Sequence, residues 1–230
     1  MGKKNSYIGL SAVILIFGII FIPRIIERLK NDDVVDNTRM SNFGIADETE
    51  NTGDMISIGK APQFTFVNQN NDTITEAYYS NKAYVVEFFF TTCPSICPIM
   101  TTNMLKIQDA FKEDTNFGIA SFSIDPEYDT PVILKQYADG YGATHPNWNF
   151  LTGEKAAIHK LSNEGFKIYA NENMQVEGGF EHQGLFALID ASGEIVSRID
   201  KWGNPIIYYS GLEDEGIEML IEDIKKLLAK

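Results

Sequence analysis

The chain has 230 residues, 44% of them hydrophobic, which is enough for one full core but short for two domains once a separate N-terminal segment is set aside. Its formal net charge of −13 argues against nucleic acid as a partner, because a phosphate backbone demands a basic face. An acidic surface that meets a basic or metal-bearing partner is compatible with it.

Residues 7–22 form an uncharged stretch of 16, preceded by Lys3 and Lys4 and closed by Pro23-Arg24. That falls just short of the roughly 17–25 residues of a spanning helix, and Ile25 and Ile26 extend it if Arg24 snorkels. An uncleaved membrane anchor over residues 1–26 is expected. A cleaved signal peptide is the rival, yet no small-x-small site follows the apolar run and no cysteine is near enough to carry lipid. Lys3 and Lys4 on one side nearly balance Arg24, Arg28 and Lys30 on the other, so positive charge alone leaves the orientation almost tied. The short leader most simply stays in the cytoplasm, which exports the remainder to a compartment where thiols can be oxidised.

Residues 27–58 are rich in Asn, Asp, Glu and Thr without sustained period, and read as a flexible polar tether. Gly59-Lys60-Ala61-Pro62 opens the globular part, residues 59–230. A hairpin is expected from residues 63–67 and 73–75 around the turn-forming Asn68 to Asp72. Residues 83–90, Ala-Tyr-Val-Val-Glu-Phe-Phe-Phe, have the β-branched and aromatic content of a buried strand, and residues 100–111 read as a helix.

A second strand is expected over residues 117–124. Asp129 or Thr130 then caps a helix with Pro131 at its first position, running to about Tyr141. Further on come a short strand at 149–151, a helix at 153–164, a short strand at 166–169 and a Gly178-Gly179 loop that ends at His182. The chain closes with a hairpin of residues 184–190 and 194–199 and an amphipathic helix over 211–230. This order predicts an α/β fold, a thioredoxin-like mixed sheet flanked by helices, behind an N-terminal transmembrane helix.

Between the central strand and its helix lie the only two cysteines, in Cys93-Pro94-Ser95-Ile96-Cys97-Pro98. Sulfurs four positions apart can meet on consecutive turns, and they can also converge on one soft metal ion. Pro98 disfavours the α region at Cys97 and suits a first helical turn, so Cys93 belongs in a loop and Cys97 at the helix N-terminus. Both places favour thiolate, the form that binds metal or attacks a disulfide. Two inert core cysteines are the bland alternative.

Copper(I) commonly takes a third ligand, for which few donors exist. His145, in a loop before Pro146, and His159, mid-helix, read as surface histidines, whereas His182 sits at a sheet edge near other strand ends. Met100 and Met104 recur at helical spacing and read as core packing ahead of thioether ligation. Asp125, Glu127 and Asp129 read as a helix cap and solvated loop. No phosphate loop or hydrolase triad is present.

Several motifs in order resemble the Sco/SenC family of copper-binding proteins that support cytochrome c oxidase assembly. They are Phe-Thr-Thr-Cys-Pro-Ser-Ile-Cys-Pro at 90–98, Ser-Ile-Asp-Pro-Glu-Tyr-Asp-Thr-Pro at 123–131, Leu-Thr-Gly at 151–153 and Glu-His-Gln at 181–183. The resemblance covers residues 59–230 and implies that Cys93 and Cys97 bind copper as thiolates with His182 as third ligand. Asp125 matches the family's aspartate near the site. Thr92 and Ser95 stand where many members have His and Asp, and Glu181-His182-Gln183 where many have Asp-His-Ser, which leaves the ligands intact but alters their surroundings.

The implied protein is a single-pass component of the bacterial cytoplasmic membrane whose domain faces the periplasm or cell exterior. It would hold one Cu(I) or Cu(II), deliver it to the dinuclear site of the oxidase's copper-bearing subunit, or keep that site's cysteines reduced. An upstream copper donor or thiol reductant would be a second partner. A metal-free thiol:disulfide oxidoreductase using Cys93 and Cys97 as catalytic dithiol is the alternative, and a peroxide-consuming redoxin is the weakest.

Overall fold

A computed structural model describes residues 55–176, 178–200 and 202–229, together with Leu15, Phe17, Ile22 and Pro23. Those four residues are helical and exposed. Among the described residues no helix is long and apolar enough to cross a membrane, and the rest of the expected anchor, with nearly all of the tether, lies outside them. The chain divides into two units, Met1–Glu50 and Asn51–Lys230.

The second unit begins with β1 (Met55–Lys60), which lies partly inside the segment read as tether and pairs antiparallel with β10 (Glu194–Arg198). Its Met-Ile-Ser-Ile supplies two β-branched residues suited to a strand, and Pro62 follows it. Next come β2 (Thr65–Asn68) and β3 (Thr73–Thr75), the expected hairpin, with a 3₁₀ turn at Glu76–Tyr79.

Seven consecutive buried residues make β4 (Ala83–Phe89), and seven more make β5 (Phe117–Ser123). Continuous burial of this kind, with apolar residues on both faces, marks strands covered on both sides. The two strands pair in parallel from Ala83 with Phe117 to Phe89 with Ser123, and β5 pairs in parallel with β6 (Trp148–Thr152). Helix α1 (Cys97–Ala110) crosses from β4 to β5, and α2 (Pro131–Tyr141), N-capped at Thr130, crosses from β5 to β6.

Beyond β6, α3 (Lys155–Lys160) continues as a π-helical segment, Leu161–Phe166. Glu154 caps α3 by accepting the N–H groups of Ala156 and Ala157. The strand expected at 166–169 is displaced to β7 (Ala170–Glu172), because Phe166 closes the helical segment and Lys167 turns the chain through a left-handed conformation. β7 pairs only with β8 (Phe180–His182), a two-stranded sheet.

β9 (Leu185–Ile189) and β10 form the expected hairpin, β11 (Tyr209–Ser210) pairs with β9, and α4 (Asp214–Leu228) ends the described chain. The main sheet runs β1-β10-β9-β4-β5-β6-β2-β3, parallel at its centre and antiparallel outside, with β11 off this path. Its core is aromatic: Phe64 meets Phe122 edge-on at 5.0 Å, and Phe88 stacks on Phe122 at 5.4 Å. Met100 and Met104 are fully buried in that core, as helical spacing implied.

Candidate metal centre

The site grows from the C-terminal end of β4, where a buried strand must turn before α1. Cys93 donates its backbone N–H to the Phe90 carbonyl at 3.3 Å, which folds the loop back, and Cys97 begins the helix. With Cys97 and Pro98 in the first turn, the Cys97 N–H points back at Sγ of Cys93, 3.5 Å away. Both cysteines are free and buried.

Hydrogen bonding from the Cys97 side chain holds the Cys93 thiol down to about 3 against the opposing effect of burial, and His182 and the Cys97 N–H add to it. Cys97 shifts the other way. Its burial, and then its bond to Cys93, push its thiol far above the ordinary range. One thiolate sharing a proton with one thiol is the arrangement these directions describe.

His182 arrives on the small β7–β8 sheet, where it pairs with Ala170. That sheet is seated against the cysteine loop by Gly178, whose positive φ of 88° brings the backbone so close that a Cβ there would lie 2.9 Å from Cδ of Pro94. The ring of Phe90 meets Phe180 at 5.3 Å and His182 edge-on at 5.7 Å, which fixes the imidazole's plane. His182 Nδ1–H donates to the Gln183 carbonyl at 3.3 Å, so Nε2 keeps its lone pair and faces Sγ of Cys97 at 3.1 Å.

The ligand atoms of Cys93, Cys97 and His182 all lie within 4.8 Å of one another. Cys93 and His182 line a cleft of 320 Å³ with Phe90, Ile96 and Phe180. A larger groove of 670 Å³ between Phe64, Phe66 and Leu161 holds none of the three donors. Two sulfurs and one imidazole suit a soft or borderline ion such as copper or zinc, and a carbonyl-bonded histidine is the usual way such a ligand is oriented.

Two histidine assignments are corrected. His145 is buried, accepting the Asn147 N–H at Nδ1 and bonding the Phe111 carbonyl through Nε2, and burial lowers its pKa. His159 lies in the last turn of α3, half-buried, with Nε2 bonded to the Ile124 carbonyl at 2.9 Å. Neither joins the cluster. The acidic group is also revised: Glu127 is exposed and Asp125 half-buried, but Asp129 is fully buried and turned inward. It accepts the Thr91 N–H at 3.0 Å, the Thr91 hydroxyl and the Ser123 hydroxyl at 2.5 Å, fixing the loop that leads to Cys93. Its place immediately before the Thr130 cap was the signal available in the sequence.

The SCO1/SenC family model matches residues 57–215. The SCO1 protein homolog of Bacillus subtilis is 32% identical over 164 residues, covering 70% of this chain and 79% of that protein. Among solved structures, BsSco, described as having a disulfide switch and as a member of the Sco family of cytochrome c oxidase assembly proteins, is 29% identical. It covers 76% of this chain and 96% of its own, with a TM-score of 0.63. ScoI of Bradyrhizobium japonicum with copper bound shares the fold, at 24% identity, 73% and 99% coverage and a TM-score of 0.56. On the extent of the family match and the identity to the Bacillus subtilis relative, this chain belongs to the SCO1/SenC family.

Proposed function

We propose that this protein binds copper through Cys93, Cys97 and His182 and serves assembly of the dinuclear copper site of cytochrome c oxidase. The observation that carries the reading is the convergence of two sulfurs and a lone-pair nitrogen, from segments 85 residues apart, within 4.8 Å. Thiolate sulfur suits Cu(I), and the imidazole adds a donor acceptable to Cu(I) and Cu(II) alike. The family's oxidase-assembly members support the destination of the metal. The copper-bearing oxidase subunit is the partner on this reading, with an upstream copper donor or thiol reductant acting before it.

Residues 1–26 would anchor the protein to the bacterial cytoplasmic membrane and the polar segment after them would extend the domain outside it. The membrane keeps the metal site near an integral oxidase; the tether lets it reach.

Anaerobic copper titration of the full chain in detergent, wild type and His182→Ala, with X-ray absorption to count sulfur and nitrogen donors, tests the ligand set. One copper on two sulfurs and a nitrogen is expected, with tight binding lost in the variant. Unchanged stoichiometry and affinity in His182→Ala would sink the assignment.

A second reading, a metal-free thiol:disulfide oxidoreductase, is favoured by the unequal thiols: a thiolate at Cys93 and a protonated partner at Cys97 suit nucleophilic attack followed by resolution. It predicts that the metal-free dithiol reduces an oxidised peptide of the oxidase subunit, with His182→Ala as active as wild type.

A further inference from the structure

His182 stands outside the main sheet, on the two-stranded sheet of β7 and β8. An isolated pair of strands is marginal in water, so the place of the ring depends on what holds that pair from outside. In an antiparallel ladder, bonded and non-bonded pairs alternate. Gln183 donates its N–H to the Tyr169 carbonyl at 3.2 Å, so the neighbouring pair, Ala170 with His182, is non-bonded, and Ala170 turns its own N–H and C=O away from β8. Ala170 is fully buried, and backbone groups in that position need partners.

Asn163 supplies both. Its Nδ2 donates to the Ala170 carbonyl at 2.7 Å and its Oδ1 accepts the Ala170 N–H at 3.1 Å, while Nδ2 also donates to the His159 carbonyl at 3.0 Å. A carboxamide presents donor and acceptor side by side, as the next strand of a sheet would, and among the described residues no third strand borders β7. Asn163 is the third residue of the π-helical segment Leu161–Phe166, which Leu161, Ser162 and Phe166 bury into the domain. Ser162 stitches that segment to the approach to β7: its carbonyl accepts the Ile168 N–H at 3.0 Å and its hydroxyl donates to the Ile168 carbonyl. π turns are rare and often mark functional sites, and this one aims a side chain at the residue opposite His182. Another tie to β7, the Lys155–Glu172 ion pair at 2.8 Å, lies two residues further along and is partly exposed, so it contributes little.

We propose that Asn163 is a positioning residue of the metal centre: its carboxamide acts as a surrogate strand beside β7 and, through Ala170, holds His182 Nε2 within reach of the two sulfurs. The inference rests on the reading of Cys93, Cys97 and His182 as a copper centre. Nε2 stands 3.1 Å from Sγ of Cys97, and metal sites hold their ligand distances within about 0.2 Å. A strand loose by about 1 Å on the Ala170 side leaves the sulfurs in place and takes the nitrogen out of range. Phe90 and Pro94 meet β8 and its loop from the cysteine side, and Asn163 meets β7 along its other edge.

The test uses the full chain in detergent, wild type, Asn163→Ala and Asn163→Asp. The aspartate keeps the size and the acceptor for the Ala170 N–H but sets a carboxylate oxygen against the Ala170 and His159 carbonyls. Copper-loaded samples are read by X-ray absorption and by competition with a chelator, and metal-free samples by the His182 imidazole resonances. In both variants the two sulfur donors should remain while the nitrogen donor is lost or weakened. Affinity should fall roughly 10–100-fold, and the His182 resonances should move toward those of a solvated ring. Variants that lose thermal stability alone, with donor count, affinity and imidazole resonances as in wild type, make Asn163 merely structural and overturn the proposal. Should both variants fail to fold, hydrogen exchange in the wild type decides: a protected Ala170 amide supports the surrogate strand, and one that exchanges as fast as an exposed loop amide overturns it. A wild type without a copper-bound nitrogen defeats the copper reading itself, and there the metal-free His182 resonances still decide for or against Asn163 as the group that places the ring.

Discussion

Asp129 accepts the backbone N–H of Thr91 at 3.0 Å, although 38 residues separate them, and bonds the Thr91 hydroxyl through its other oxygen. With the Ser123 hydroxyl also on Asp129, one buried side chain ties the end of β5 to the loop two residues before Cys93. Removing it leaves an N–H and two hydroxyls without their partner, each worth roughly 1–3 kcal/mol where water cannot replace it. Asp129→Ala should lose about 3 kcal/mol of stability, and Asp129→Asn, which keeps one acceptor, about half of that. Urea unfolding of both variants checks the order; equal losses would mean that hydrogen bonding by the side chain is not what holds the loop.

Glu87, buried in β4, makes stability fall as pH rises. Its folded-state value of about 7 stands above the ordinary 4.5, so between these two pH values the native chain keeps a proton that the unfolded chain has lost. Stability from this group is greatest below pH 4.5, declines through the window and is level above 7. The decline should be on the order of 1–3 kcal/mol, given 1.36 kcal/mol per unit and the softening of such shifts by relaxation. Glu87→Gln should remove it, raising stability at pH 8 relative to wild type. Denaturant midpoints at pH 5 and pH 8 measure the difference, and an unchanged difference in the variant would assign the slope to other groups.

Gly178 governs how closely the histidine strand approaches the cysteines. Alanine there must tolerate a φ of 88° and a Cβ 2.9 Å from Cδ of Pro94, so the β7–β8 sheet has to move outward. Gly178→Ala should cost about 1 kcal/mol of stability. It should weaken copper binding by roughly 10–100-fold, the range for displacing groups that orient a ligand. Competition with a copper chelator, alongside the His182 imidazole resonances, checks this. Wild-type affinity in the variant would show that the sheet is not what places His182.

Much of the centre was legible because its signals are local. β4 and β5 announce themselves as runs rich in β-branched and aromatic residues, Pro131 marks the start of α2, and Pro98 puts Cys97 at a helix N-terminus. His182 was singled out by elimination and family resemblance, but its setting was not legible. Phe180–His182 is only three residues long, and its position depends on a glycine touching a proline 84 residues earlier in the chain. Asp129 and His145 were misread for one reason. An isolated polar residue in a loop is solvated by default, and what buries these two is supplied by Thr91 and Ser123 in one case and Phe111 and Gln108 in the other. Glu87 passed unnoticed inside an apolar run whose strand character it did not disturb.

Far from the sulfurs, Arg198 on β10 and Asp223 on α4 fasten the C-terminal helix to the sheet. The guanidinium bonds Asp223 through Nε at 2.7 Å and Nη2 at 3.0 Å, reaches Glu222 at 2.9 Å, and gives Nη2 also to the Met219 carbonyl. Asp223 is fully buried and takes a further bond from the Tyr209 hydroxyl at 2.8 Å. The exposed partner contributes little, because water screens Glu222, whereas the fully buried Asp223 is a charge that only the half-buried arginine makes tolerable. Asp223→Ala strands Arg198 and Tyr209 and should cost about 3–5 kcal/mol, against less than about 1 kcal/mol for Glu222→Ala. For a domain of this size that separates the melting temperatures by roughly 5–15 °C. Since neither residue belongs to the metal cluster, whatever fraction of Asp223→Ala stays folded should bind copper with wild-type stoichiometry. A copper defect in folded Asp223→Ala would mean that α4 communicates with Cys97 through the packing between them.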